Sequence, residues 1–329
     1  MREAVFVKRG TAKWTEFENV PTNDPDVLAE QFIAITDDLA YAKTFYPKSN
    51  TTKYLNGLAA RFHQTIYKNK KEQGSRFIKF WTTELPLLFA QHRKQLRYSF
   101  IFFFVFCLMG ALSAKYDNTF VRLILGDGYV NMTNENIAKG NPFGVYKEEE
   151  PALMFLHIAQ NNLYITVASF VSGVFFSIGS VIVLMRNGIM LGSFQYYFFS
   201  KGVGMQSVLV IWIHGTLEIS SIIIAGGAGL ILGNSLIFPG TYKRVDSLKK
   251  GAIDGMKITI GILPIVVIAA IFESFVTRHT EMPLWLSCSI LAGSFLFILW
   301  YVIIYPSILT NKLNLIKQNE SKNGVKTIA

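Results

Sequence analysis

Beyond Arg97 the chain is dominated by long runs without a formal charge, and this feature limits the possible folds more than any other. Residues 98–114, 158–185 and 284–304 contain no Asp, Glu, Lys or Arg. Residues 258–276 contain one acid, Glu273, and residues 203–242 are broken only by His214 and Glu218. A bilayer core of about 30 Å needs roughly 20 apolar residues of helix. In lipid, only helices and closed barrels satisfy every backbone N–H and C=O, and runs of this length select helices. The expected fold class is therefore all-α: a polytopic helical membrane protein with about six transmembrane segments and a helical cytosolic N-terminal region.

Charge follows the same division. Only 16% of the residues are charged, against about 25% in a soluble domain, and many of them lie before residue 98. The net charge of +10 admits a nucleic-acid partner on its own. The basic residues, however, flank the apolar runs: His92-Arg93-Lys94 with Arg97, Arg186, Lys243-Arg244, Lys249-Lys250 and Lys312 onward. That is the positive-inside pattern of a membrane protein. It places both termini in the cytosol, in a multi-pass protein of the inner (cytoplasmic) membrane, and leaves no role for nucleic acid. Cys107 and Cys288 lie within apolar runs and imply neither a disulfide nor a metal framework. The opening Met1-Arg2-Glu3-Ala4 offers no apolar stretch of signal-peptide length, so the first crossing is expected to direct insertion.

Three regions follow: a cytosolic or membrane-surface helical region over 1–97, a transmembrane domain over 98–304, and a polar cytosolic tail over 305–329. In the first, Asp24-Pro25 is a cap followed by proline at a helix start. Leu28, Phe32, Ile35 and Leu39 then share a face, as do Leu55, Leu58, Ala59, Phe62 and Ile66. The basic patch over 68–71 and Gly74 end that second helix. Phe77, Trp81 and Leu85 suit either a helix lying on the membrane surface or a solvated helix that leads into the membrane. Within the membrane domain, residues 115–151 read as a polar outer loop. The pair Asn187-Gly188 reads as a turn after the second crossing. That leaves 187–200 as either a short third helix or a re-entrant hairpin. The cluster Gly226-Gly227-Ala228-Gly229 is the expected place for a kink, and 243–257 forms a cytosolic amphipathic segment.

Small and polar residues mark where membrane helices touch. Gly173 and Ser177 on one run, and Gly226, Gly227 and Gly229 on another, are the expected packing positions, within the monomer or across a dimer. The sharpest chemical feature is His214-Gly215-Thr216-Leu217-Glu218. Its two ionisable groups share a helix face at i and i+4, and an ionisable residue at membrane depth is a functional candidate by default. The alternative is a buried polar clamp that fixes helix register. Asn161 and Asn162 complete the expected intramembrane polar set. His157 and Glu273, near outer ends of crossings, are read as interfacial or capping groups, with a place in a polar pathway as the alternative. The spacing is not His-Glu-x-x-His, and no phosphate loop ending in Gly-Lys-Ser/Thr occurs. No catalytic residue, metal ligand set or cofactor is expected.

Asn161-Asn162, Gly173 with Gly179, Asn187-Gly188 followed by Gly192, His214-Gly215-x-x-Glu218 and Gly226-Gly227-Ala228-Gly229 occur in this order over about residues 150–240. Together they resemble the stage II sporulation protein M family of integral membrane proteins. The opening Met1-Arg2-Glu3-Ala4-Val5-Phe6 and Trp14-x-x-Phe17-Glu18 resemble the cytosolic extension of its non-sporulation members. The resemblance implies a membrane-anchored complex that, in spore formers, works with peptidoglycan-degrading partners. The expected function is thus an integral membrane scaffold or anchor of a cell-envelope complex, with the bilayer, a second copy or envelope proteins as partners. The alternative is a permease or channel subunit moving an ion or small solute past His214 and Glu218.

Overall fold

The computed structural model describes residues 2–19, 24–67, 75–147, 150–279 and 282–326. The basic patch at 68–71 with Gly74, and the acidic pair at 148–149, lie outside them. The chain divides into two compact units, Met1–Arg76 and Phe77–Ala329. The first contains α1 (Glu3–Asn19), α2 (Pro25–Phe45) and α3 (Asn50–Tyr67). Asp24 caps α2 by accepting the Asp26 N–H at 3.0 Å, with Pro25 starting the helix. The two sequence-derived stripes meet: Ile35 and Leu39 of α2 join Leu55, Leu58, Ala59 and Phe62 of α3, and α1 adds Phe6 and Trp14. The Trp14 indole is buried, and its N–H donates to Asp38 at 2.7 Å.

The second unit opens within α4 (Ser75–Lys79), which runs through a π-helical turn, Phe80–Glu84, into α5 (Leu85–Gln91). The composition shift at Arg97 and the packing boundary at Arg76 do not coincide. Leu85 and Phe89 are fully buried among residues of the later helices, so α5 is wedged into the membrane unit, while Phe77 and Ile78 of α4 stay exposed. Pro264 removes a backbone donor from α12 (Arg244–Ile271), which disturbs the carbonyls one turn back. Trp81 donates its indole N–H to one of them, the Gly261 carbonyl, at 3.0 Å.

The remaining elements are α6 (Arg93–Tyr116), α7 (Asn118–Leu125), α8 (Asp127–Ala138), α9 (Pro151–Val171), α10 (Ile178–Ser200), α11 (Gly204–Ile237), α12, α13 (Leu284–Leu299) and α14 (Tyr305–Lys326). Among the described residues, five helical stretches are long and apolar enough to cross a membrane: Arg93–Tyr116, Ile178–Ser200, Gly204–Ile237, Arg244–Val276 and Leu284–Ile316. The 21-residue α9 is about 31 Å long at 1.5 Å per residue and supplies a sixth. Contacts fix their directions. Gly188 and Gly192 of α10 lie against the Phe103 and Cys107 carbonyls, so α10 runs parallel to α6. On α11, Gly229 and Gly233 lie against Ser180 and Ser177 of α10, and Ile223 accepts from Ser99 of α6 at 2.6 Å, so α11 runs back. Gly255 and Gly251 of α12 lie against Ala228 and Ser235, and Thr277 beyond it reaches His214, so the direction reverses again. The six helices alternate in direction. One end carries Arg93, Lys94, Lys243, Arg244, Lys249 and Lys250 and is called the basic end below.

Several expectations need correction. The uncharged run 158–185 is not one crossing. It breaks at a tight turn over residues 172–177, where Phe176 (φ 51°) and Ser177 (φ 68°) are left-handed. The turn is closed by the Ser177 N–H on the Gly173 carbonyl at 3.0 Å. Such backbone costs roughly 1–2 kcal/mol per non-glycine residue, so no simple turn residue announces it. Asn187 and Gly188 lie instead in the middle of α10. Asn187 bonds back to the Val183 carbonyl at 2.8 Å, and Gly188 permits the approach to α6. The stretch 187–200 is thus the second half of a full helix, neither short nor re-entrant. Gly226, Gly227 and Gly229 do not break α11, which is continuous over 34 residues. The stretch 115–151, expected to be a loop, contains α7 and α8. Asp117 caps α7, Gly126 (φ 87°) separates the two helices, and Arg122 bridges to Asp127 and Asn131. Segment 243–257 is the first part of α12, and the tail stays helical to Lys326.

Candidate functional site

The far half of α11 supplies the site. One helical turn separates His214 from Glu218, so both face the same side. The third member comes from the end of α12, where a π-helical turn, Phe272–Val276, carries Glu273. Such turns often mark functional positions because the extra residue redirects side chains. The same turn leaves the Ser274 hydroxyl buried with no hydrogen-bond partner among the described residues. Glu273 joins the pair: its Oε1 stands 3.7 Å from His214 Nε2. One ligand-type atom from each of His214, Glu218 and Glu273 lies within 4.8 Å of the others.

Thr277 orients the imidazole. Its hydroxyl donates to the Phe272 carbonyl at 3.2 Å, and its oxygen lies 3.0 Å from His214 Nδ1. A hydroxyl has one proton; with that proton on the Phe272 carbonyl, the oxygen accepts from Nδ1–H, and Nε2 is the ring nitrogen nearer Glu273. His214 is only 4% exposed.

The cluster opens on a cavity of about 530 Å3. Met154 and Ile158 of α9, Leu191 and Phe194 of α10 and Trp212, Gly215 and Ile219 of α11 line its walls. Ile124 and Leu125 of α7 and Tyr129 of α8 line it as a partial cap. Burial pushes the Tyr129 phenol up to about 12, so the cap presents a neutral hydroxyl. Trp212 donates to Gln195 Oε1 at 2.9 Å, and the Gln195 amide donates to Ser207 at the same distance. This chain ties α10 to α11 at the cavity wall. A second cavity, of about 540 Å3, is lined by Thr277, Ile213 and Gln206 together with Asn141, Phe143 and Ser287. Residues lining the two cavities are thus bonded directly through Thr277 and His214.

Below the cluster, toward the basic end, the helices are in backbone contact. A Cβ at Gly173 would overlap the Gly229 carbonyl, one at Gly229 the Ser180 hydroxyl, and one at Gly233 the Ser177 backbone. Gly226 and Gly227 receive the Leu184 and Leu96 side chains. Hydroxyls here are satisfied locally, Ser221 on the Leu217 carbonyl at 2.8 Å and Ser180 on the Ser169 carbonyl at 2.6 Å.

The structure brings His214 and Glu218 together, as the helix spacing requires. It does not bring Asn161 or Asn162 to them. Asn162 is buried on α9 and accepts from Asn161 at 3.2 Å, and neither lines the cavity. Sequence reasoning missed Glu273 and Thr277 as members of the cluster. The available signal was that Glu273 is the one charged residue in the run 258–276, and charge at that depth demands a partner.

Comparison with known families gives two matches. The model described as Stage II sporulation protein M covers residues 99–278. A second, described as a domain of unknown function (DUF8413), covers residues 4–68, within the first compact unit. Comparisons with curated proteins and with solved structures return no match.

Proposed function

Because the chain belongs to the stage II sporulation protein M family, whose members are integral membrane proteins, we propose that it is an ion-handling membrane subunit. A proton or cation binds at His214, Glu218 and Glu273 and is admitted through the cavity beside them. One observation carries this reading: three ionisable side chains from two crossings converge on a cavity at membrane depth. Burying them costs several kcal/mol per charge unless each is paired or neutral, and a purely structural clamp does not require an adjoining chamber. The close glycine contacts toward the basic end and the cavity toward the other suit a site with access from one side. The lysine- and arginine-rich end is assigned to the cytosol, so the cavity faces the outer half of the inner membrane. No catalytic step is assigned to the chain.

The scaffold reading is retained because of a separate observation. The first unit has its own buried core and its own family-model match, which suits a docking module for envelope proteins or for a second copy of the chain. Reconstitution separates the two. Vesicles containing the purified protein should pass protons or cations under an imposed gradient. The Glu218→Gln, Glu273→Gln double variant should lose that flux while keeping its gel-filtration profile. Wild-type vesicles as tight as protein-free ones would remove the transport reading. Partners that co-purify through residues 1–76 in mild detergent would then support the scaffold.

A further inference from the structure

We infer that His214, Glu218 and Glu273 form a binding site for one divalent first-row transition metal, of the zinc class. The assignment rests on reading this cluster as a cation site and specifies the cation. The donor set is one imidazole and two carboxylates, which suits Zn2+ and its neighbours better than Mg2+ or Ca2+, whose ligands are oxygens, or Cu+, which prefers sulfur. A neutral imidazole, two carboxylates and a divalent ion sum to no net charge, as a surrounding of low dielectric constant demands. Tetrahedral zinc with bonds of 2.0–2.2 Å places its ligand atoms about 3.3–3.6 Å apart. The His214–Glu273 separation is 3.7 Å, and all three atoms lie within 4.8 Å. Closing the set needs only about 1 Å of movement, within reach of a glutamate rotamer change.

The surroundings carry the features of a metal site beyond its first ligands. A metal-binding histidine donates its other ring N–H to a fixed acceptor, which sets the tautomer and aims the free nitrogen. Thr277 is that acceptor here, and its own proton is committed to the Phe272 carbonyl. Three protein ligands would leave a fourth position for water or an exchanging ligand, and all three residues line the cavity. The sequence hides this set because its ligands lie on two crossings, with Glu273 far along the chain from the His214–Glu218 pair.

The test uses full-length protein purified in detergent, stripped with a chelator and then loaded with Zn2+ or Co2+. About one metal per chain should survive desalting, and bound Co2+ should give the intense visible bands of a four-coordinate site. Glu218→Gln and Glu273→Gln, which keep side-chain shape, should each lose retention. Glu84→Gln, which alters a carboxylate paired with Lys257, should retain metal as the wild type does. Thr277→Val should weaken affinity about 10- to 100-fold without abolishing it. Failure of the wild type to retain metal overturns the proposal, as does retention unchanged by both glutamine substitutions. If those variants misfold, X-ray absorption on the loaded wild type decides. One imidazole with carboxylate oxygens supports the site, and a sulfur ligand or an all-oxygen shell overturns it. Cation flux through a wild-type protein that retains no metal would sink the metal site and leave the transport reading standing. Bound metal without flux would do the reverse.

Discussion

The two halves of α11 meet their neighbours in opposite ways. From Ser221 to Gly233 nearly every residue is buried; Gly229 and Gly233 lie on the backbone at Ser169 and Ser177, and Gly226 and Gly227 lie on the Leu184 and Leu96 side chains. From Gly204 to Glu218 the same helix is one wall of a chamber and carries two ionisable groups on that wall. Nothing in helix propensity distinguishes the halves, since the element is unbroken. The difference lies in side-chain size and chemistry. Absent side chains let helices close on each other without lipid or water between. Large side chains on α9, α10 and α11 hold them apart at the other end, so polar groups there have space beside them. One continuous helix can therefore serve as a packing spine at one end and as a binding surface at the other.

The largest effect should come from disturbing the packed half. Gly229→Leu puts a side chain where Ser180 and the Ser169 carbonyl already stand, and no small movement relieves a clash with backbone. We expect loss of the monodisperse gel-filtration peak and a sharp fall in yield. Ile182→Leu, at an exposed position on α10, should leave both unchanged. Normal size and yield for Gly229→Leu would show that the two halves do not differ as described.

Next in size are the cavity groups. Single leucine substitutions of His214, Glu218 or Glu273 each orphan the remaining members, at roughly 1–3 kcal/mol or more where a charge is left behind. The triple leucine variant leaves no orphan in the cluster and should destabilise by less than the sum of the singles. A variant lacking only His214 and Glu218 should not show this relief, because Glu273 remains. Melting temperatures of the five proteins in detergent check this. Simple additivity would mean that the three groups do not act as a unit.

How much of this was legible beforehand follows the same division. The membrane class, the basic end and the glycine contact positions are properties of single runs and can be read one helix at a time. The turn over 172–177 was not legible, because Phe176 and Ser177 adopt left-handed backbone that neither residue type favours, and Asn187-Gly188 offered a better turn in the wrong place. The His214–Glu218 pair is local and visible as i and i+4. Glu273 and Thr277 join it only through the docking of α12 on α11, which no local pattern encodes. The cavity depends on three helices and a two-helix cap, and 115–151 reads as a loop because its helices are short and polar.

A smaller effect belongs to the first unit. Glu18 accepts from Arg61 at 2.6 Å and from Tyr54 at 2.8 Å, and these bonds hold its carboxyl below the ordinary range. A lowered folded pKa contributes stability that is fully present above the unfolded value and is lost as pH falls through the folded one. Amide exchange in α1 and α3 of the full-length protein should therefore accelerate modestly with acidification across that window. Glu18→Gln should flatten this dependence. An unchanged pH profile would mean the pair is only a surface contact.

The contrast between the halves of α11 is tested most directly by cysteine accessibility. In a background with Cys107 and Cys288 replaced by alanine, single cysteines are placed at Gly215, which lines the cavity and has open space at its Cβ, and at Ser221, fully buried in the packed half. A small, charged, membrane-impermeant thiol reagent is then added from the side away from the basic end. The account predicts rapid modification at position 215, protection at 221, and slowing at 215 by Zn2+. Equal reactivity at both positions, or modification at 221 alone, would contradict it.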